Sequence, residues 1–585
     1  MILDRINGPA DVKQLSVAEL ETLAEEIRSV MLKRASVHGG HFGPNFGMVE
    51  AIIALHYVFN SPTDKLVFDV SHQSYPHKIL TGRKEAYLDP AHYDDVSGYT
   101  NPDESEHDFF NVGHTSTSVA LAAGLAKARD QKGGQENIIA IIGDGSLSGG
   151  EALEGLDYAG ATRTNFIIVV NDNEMSIAEN HGGLYENLRE LRETNGEAST
   201  NLFKAMGLDY VYQGNGNQVA DLIETFAAVK DIDHPVVVHI HTEKGRGYAP
   251  ALQNKEAWHY QGPFDIASGK VLGGSGEAGY PAVTAKYLLD KIAQDQDVVV
   301  ITAGVPKTLG FGAAERAQAG AQFVDVGIAE ECAVALASGI AKGGGKPVFG
   351  VAASFMQRAY DQISQDLCIN NNPATILVNS ASVYGMNDVT HLGIFDIPMI
   401  SNIPNLVYLA PTSKAEYLAM LDWSIEQTAH PVAIRIPCNG VIEDGRTVSA
   451  NYDELNKYQV EQAGQTVAVL ALGDFYQLGE AVCAQLSAET GVQATLINPR
   501  YISGLDEELL NTLKANHQLV VTLEDGVLDG GFGEKIARFY GDSDLKVLCY
   551  GLKKEFIDRY DPEEVLRDNH LQPEQIVAEV RAALA

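Results

Sequence analysis

What most constrains this chain is the stretch 138–177, IIAIIGDGSLSGGEALEGLDYAGATRTNFIIVVNDNEMSI. Two apolar, β-branched runs, 138–142 and 166–170, predict buried parallel strands. Each ends in a polar tripeptide, Gly143-Asp144-Gly145 and Asn171-Asp172-Asn173. Between them, 147–161 has the length and residue types of a helix, so the unit reads strand–helix–strand. Ligands in open α/β sheets gather beyond the carboxyl ends of the strands. That geometry brings Asp144 and Asn173 to one edge although they are far apart in sequence. A carboxylate and an amide oxygen suit Mg²⁺, which keeps part of its water and takes its remaining ligands from phosphates. Gly143 and Gly145 let the backbone approach a diphosphate closely.

With 585 residues the chain exceeds a single core, and its length predicts about three to four domains. Apolar residues make up 45% and charged residues 21%, which places it among soluble globular proteins. The net charge of −36 has no basic run to offset it, which excludes nucleic acid and acidic membranes as partners. An anionic cofactor must therefore be held locally, by a metal, helix N-termini and a few His or Lys residues. Five scattered cysteines (332, 368, 438, 483, 549) show no metal-like spacing and read as free thiols of a reducing compartment. With no signal-peptide pattern and no apolar run of about 18 residues, the expected location is cytoplasmic.

Along the chain, Ser16 and Glu19 form a capping box ahead of an amphipathic helix, with Leu15 and Leu20 as its staple. A turn bearing His41 follows, then a short strand over 65–70 leading into a turn with His72. A third turn, Gly113-His114-Thr115, opens an Ala-rich helix. Three histidines at turns beside strand ends or helix starts read as one site. Residues 262–280 are rich in Gly and Ser and read as a linker. A second α/β pattern starts near Ala282 with a strand over 298–302. It continues through a small-residue helix over 332–342, strands over 348–350 and 375–378, and a loop over 379–393. A third unit starts at 466, carries a loop over 524–531, and ends in a helix over 573–584.

The GDG and NDN tripeptides at this spacing resemble the thiamine-diphosphate signature of transketolase-like enzymes. The turns at His41, His72 and His114, the block Asp103–Phe109, and the segment from Thr242 to Tyr248 sharpen the likeness. Together they resemble the 1-deoxy-D-xylulose-5-phosphate synthase family along essentially the whole chain. The resemblance implies a three-domain α/β architecture of mainly parallel sheets. The expected divisions are a diphosphate- and Mg-binding domain (1–265), a linker (266–281), a pyrimidine-binding domain (282–445) and a C-terminal domain (460–585). It implies thiamine diphosphate and Mg²⁺ as cofactors, pyruvate and an aldehyde as substrates, and a homodimer.

Residue by residue, the resemblance makes Glu330 the carboxyl that activates the cofactor's aminopyrimidine and Phe355 the ring stacked on it. His41, His72, His259 and His391 match positions of proton transfer. His72, Gly113, His114, Thr115, Gly143, Asp144, Gly145, Ser146, Asn173 and Lys244 match cofactor-binding positions, and Asp144, Asn173 and Met175 the metal ligands. His41, Arg358, His391, Ser380 and Asn387 match the substrate side. The implied reaction joins the two-carbon unit of pyruvate to glyceraldehyde 3-phosphate, giving 1-deoxyxylulose 5-phosphate and CO₂. Departures cluster on the acceptor side. Ser380 and Cys438 stand where the family carries phosphate-binding arginines, Asn387 replaces an Asp, and Ala352 replaces a Tyr. The segment after Ile177 is compressed to about 180–205. These departures admit an alternative in which the same donor chemistry serves a different acceptor, with or without a phosphate. A cofactor-binding protein without turnover is a third reading, opposed by Glu330, Asp144, Asn173 and the histidines.

Overall fold

The computed structural model describes residues 1–272 and 279–585, so part of the expected linker 266–281 lies outside the described residues. Contacts divide the chain into two compact units, Met1–Gly276 with Gly327–Ala329 and Glu277–Val326 with Glu330–Ala585.

The first unit is built on a five-stranded, wholly parallel sheet in the order Lys65–Phe68, Ile138–Gly143, Phe166–Asp172, Pro235–His241, Asp209–Gln213. Alternate residues of its strands feed two separate cores. Ile139, Ile141, Ile167 and Val169 pack with the helices Val17–His38, Val49–Val58 and Val219–Val229. Ile138, Ala140, Ile142, Ile168 and Val170 point to the opposite face and pack with Ser118–Lys132 and Gly150–Ala161. Burial on both faces is why these strands read as unbroken apolar runs.

The strand expected over 65–70 stops at Phe68. Val70 and Ser71 adopt positive φ (55° and 68°), a costly conformation for a β-branched residue, and swing the chain into the His72 turn. The helix expected over 147–161 is split into a 3-10 turn, Gly145–Ser148, and an α-helix, Gly150–Ala161, because Gly149 between them is extended. Ser16 caps Val17–His38 with the reciprocal Glu19 contact read from the sequence. The compressed segment 180–205 holds the helices Gly183–Glu193 and Leu202–Ala205.

The second unit contains two sheets. One is six-stranded and wholly parallel, in the order Val407–Leu409, Val432–Arg435, Thr375–Asn379, Lys346–Ala352, Val298–Thr302, Phe323–Asp325. The other runs Gln459–Gln462, Thr495–Asn498, Thr466–Ala471, His517–Val527, Lys546–Leu552, with only its first strand antiparallel. The expected α/β class with mainly parallel sheets therefore holds. The loop expected from residue 524 begins later, because the last strand before it runs on to Val527. Its buried Glu524 accepts the N–H groups of Phe532 and Gly533 at 2.8 and 2.7 Å, tying the strand to the start of the helix Phe532–Tyr540. Among the described residues, no helix is long and apolar enough to cross a membrane.

Candidate active site

In the first unit, the ends of the strands Ile138–Gly143 and Phe166–Asp172 lie side by side, with Gly143 in register with Asn171. Asp144, 1% exposed, follows one end, and the backbone N–H of Asn173 after the other donates to its carboxylate. Asn180 donates to Asp144 Oδ2 at 2.8 Å, and Met175 N–H donates to Asn173 Oδ1 at 3.2 Å. Burial and the nearby Asp172 carboxylate push the Asp144 pKa well above the usual range. Asp172 itself is held down at about 2: burial opposes its charge, but His239 and Arg192 outweigh that cost. A buried carboxylate beside a second negative charge favours a cation. No group of three His, Cys, Asp or Glu suited to a metal occurs among the described residues. A hard ion that accepts amide, carbonyl and phosphate oxygens fits this donor set, and Mg²⁺ is such an ion. The GDG turn packs closely on the loop after Asn173, since an added Cβ at Gly145 would lie 2.7 Å from Ser176 Cβ. Buried Lys244 reaches the same loop, donating to the Ser176 carbonyl at 2.5 Å.

His41, His72 and His259 form one cluster in this unit. Their ring centroids are 5.0 Å (41–72), 5.8 Å (41–259) and 5.2 Å (72–259) apart. The cause is local: Gly40–His41 pairs antiparallel with Tyr260–Gln261, which sets His259 beside His41. Asn45 then ties the His41 and His72 turns together, donating to both carbonyls at 2.8 and 2.7 Å. The turn with Gly113, His114 and Thr115 is anchored by buried Asp69, which accepts the N–H groups of Ser116 and Ser118 at 2.9 and 3.0 Å. Ser116 in turn donates to the Ser146 carbonyl at 2.8 Å, linking this turn to the GDG turn.

In the second unit, Glu330 begins the helix Glu330–Lys342 and is 2% exposed. Its Oε2 accepts no hydrogen bond among the described residues. Burial lifts its pKa to about 7, against the opposing pull of Arg358, whose guanidinium lies 3.8 Å away. A carboxyl in that state holds a proton near neutral pH and can share it with a basic ring nitrogen. Phe355 stands edge-on to His391 with centroids 5.4 Å apart, and His391 Nδ1 lies 2.8 Å from Thr390 Oγ1.

A profile described as 1-deoxy-D-xylulose-5-phosphate synthase matches residues 3–200 and 194–242. The transketolase pyrimidine-binding domain matches 281–440, and the transketolase C-terminal domain 456–576. The chain is 37% identical to 1-deoxy-D-xylulose-5-phosphate synthase 2 of Geobacter sulfurreducens, covering 100% of this chain and 99% of that one. It is also 37% identical to the synthase of Symbiobacterium thermophilum, covering 100% and 95%. The chain belongs to the 1-deoxy-D-xylulose-5-phosphate synthase family.

Within this family member, the acceptor-side residues have structural commitments that the sequence did not disclose. Ser380 has positive φ (53°), and its carbonyl packs against Gly385 and Gly393, where an added Cβ would lie 2.3 and 2.0 Å away. The Asn387 side chain donates to the Tyr560 carbonyl at 3.0 Å, and its own carbonyl accepts the Arg559 N–H at 2.7 Å. Arg358 places its guanidinium 3.8 Å from the Glu330 carboxyl. Two positioning residues, Asp69 and Asn45, escape the sequence reading. Asp69 carries a usable signal, since it ends a short strand just as Asp144 does. Asp69→Ala would leave two buried N–H groups without acceptors and should cost roughly 2–4 kcal/mol in urea unfolding; unchanged stability would refute the anchoring role.

Proposed function

We propose that this chain decarboxylates pyruvate and transfers the two-carbon unit to glyceraldehyde 3-phosphate, yielding 1-deoxy-D-xylulose 5-phosphate and CO₂. Bound thiamine diphosphate supplies the electron sink for the decarboxylation. The observation that carries the reading is Glu330, a buried carboxyl held near neutrality in a chain that matches the synthases over its whole length. Glu330 would hold a proton at Oε2 against the cofactor's pyrimidine, with Phe355 beside it. Asp144, Asn173 and Met175 would hold Mg²⁺, with Gly143, Gly145, Ser146, Gly113, His114, Thr115 and Lys244 around the diphosphate. The cluster of His41, His72 and His259, with His391, would move protons to and from the reacting oxygens. The full-length match favours this acceptor over an unphosphorylated one. A homodimer in the cytoplasm completes the proposal.

The test is turnover with Mg²⁺, thiamine diphosphate, pyruvate and glyceraldehyde 3-phosphate, with the product identified by mass. The five-carbon phosphate ester should appear with CO₂ in equal amounts. CO₂ without that product would overturn the acceptor assignment, and no CO₂ would overturn the reaction.

A further inference from the structure

The second unit contains a cavity of about 480 Å³ lined by Tyr384, Cys438, Asn439, Asp474, Gln477 and Pro562, among others. None of its described lining residues is Lys, Arg or His. Asp474 is 6% exposed; its Oδ2 accepts the Cys438 N–H at 2.9 Å, while its Oδ1 is buried with no hydrogen bond among the described residues. Asp525 Oδ2, nearby, is in the same condition. Ser382 lies beside both carboxylates but has one hydroxyl proton to give, so one oxygen lacks a donor whichever way it turns.

The acids around this point outnumber the cations, so with all of them ionised the cluster needs a proton or a further cation. Arg435 is the cation, bound at 2.8 Å to Asp396 and also paired with Asp525. Asp396, Asp525 and Asp474 are three buried carboxylates facing one guanidinium, and Glu563 adds another acid near Tyr384. The Cys438 thiol is pushed up by burial and stays neutral. We propose that this cavity binds the ammonium group of a small organic amine, with Asp474 as its counter-ion. Tyr384, Phe475, Leu478 and Pro562 offer apolar wall for the carbon chain, and an anion would find no cationic side chain in the lining to pair with. Burial and Asp525 lift Asp474 to about 8, so without an amine the carboxyl holds a proton that an ammonium would displace.

The test is calorimetric titration of the full-length protein, loaded with Mg²⁺ and thiamine diphosphate, with 4-aminobutanol, 1,4-butanediol and inorganic phosphate. The amine should bind at one site per chain, at least tenfold tighter than the diol, and release a proton at pH 7. Asp474→Asn should weaken it at least tenfold. Gln477→Phe, at a partly buried position of the cavity lining, would fill the cavity, should do the same and decides the matter if the first variant misfolds. Equal binding of amine and diol, preference for phosphate, or undiminished binding in both variants would overturn the proposal. A further arm, which alone rests on the proposed reaction, separates two sources of the amine. Competition with the aldehyde acceptor marks a site that overlaps the acceptor's path without being its phosphate end, and a rate change without competition marks an effector site. The titration stands even if turnover fails.

Discussion

Replacing Glu330 by Gln should nearly abolish turnover while making the cofactor-free protein more stable at pH 8. The two effects have one cause. The Glu330 carboxyl is 2% exposed, and burial lifts its pKa from 4.5 to about 7. A raised acid pKa means that the folded state binds the proton more tightly than the unfolded chain. Stability is therefore greatest below pH 4.5 and falls as the pH rises through 7. That difference corresponds to roughly 3 kcal/mol lost at pH 8. Gln is nearly isosteric with the protonated acid and cannot ionise, so the loss should vanish in the variant. Denaturant midpoints of the two proteins should coincide near pH 4.5 and diverge above it, with the variant higher. Turnover should fall by roughly 10²–10⁴-fold, because the proton that Glu330 would manage is gone. A variant with near-normal rate, or one no more stable at pH 8, would remove Glu330 from the proposed role.

The parts of this protein that were legible in the sequence depend on short-range patterns. The paired strand ends at Asp144 and Asn173 follow from apolar runs closed by polar tripeptides, and the sheet register places them as neighbours. Glu330 is different: nothing in its own helix distinguishes it from Glu331, and only the family resemblance singles it out. What stayed hidden depends on partners distant in sequence. Asn387 is engaged by Arg559 and Tyr560, and the orphaned Asp474 oxygen exists only because segments near 382, 438, 474 and 525 converge. The break at Val70 was hidden for another reason, since a β-branched residue favours a strand and only the surrounding fold holds it at positive φ.

Asp144→Ala should leave the fold intact and remove the stabilisation that Mg²⁺ and thiamine diphosphate confer together. Asp144 is buried, and its charge is opposed by burial and by Asp172, so losing the carboxylate relieves a cost in the cofactor-free protein. The cofactor-free melting temperature should change little, because that relief is set against the acceptor lost to Asn180 and to the Asn173 N–H. With the carboxylate gone, the site keeps only the Asn173 amide and backbone oxygens, too weak a set to hold a strongly hydrated dication. A ligand at 100 times its dissociation constant stabilises the folded state by about 2.7 kcal/mol. A hundredfold loss of affinity would reduce that to about 0.4 kcal/mol at the same concentration. Melting curves with Mg²⁺ alone, thiamine diphosphate alone and both together would show the wild-type shift only, or mainly, with both. Asn173→Leu should reproduce the effect from the other strand end. If both variants kept the full shift, the metal would not lie between these strands, and the functional reading of 138–177 would fail with it.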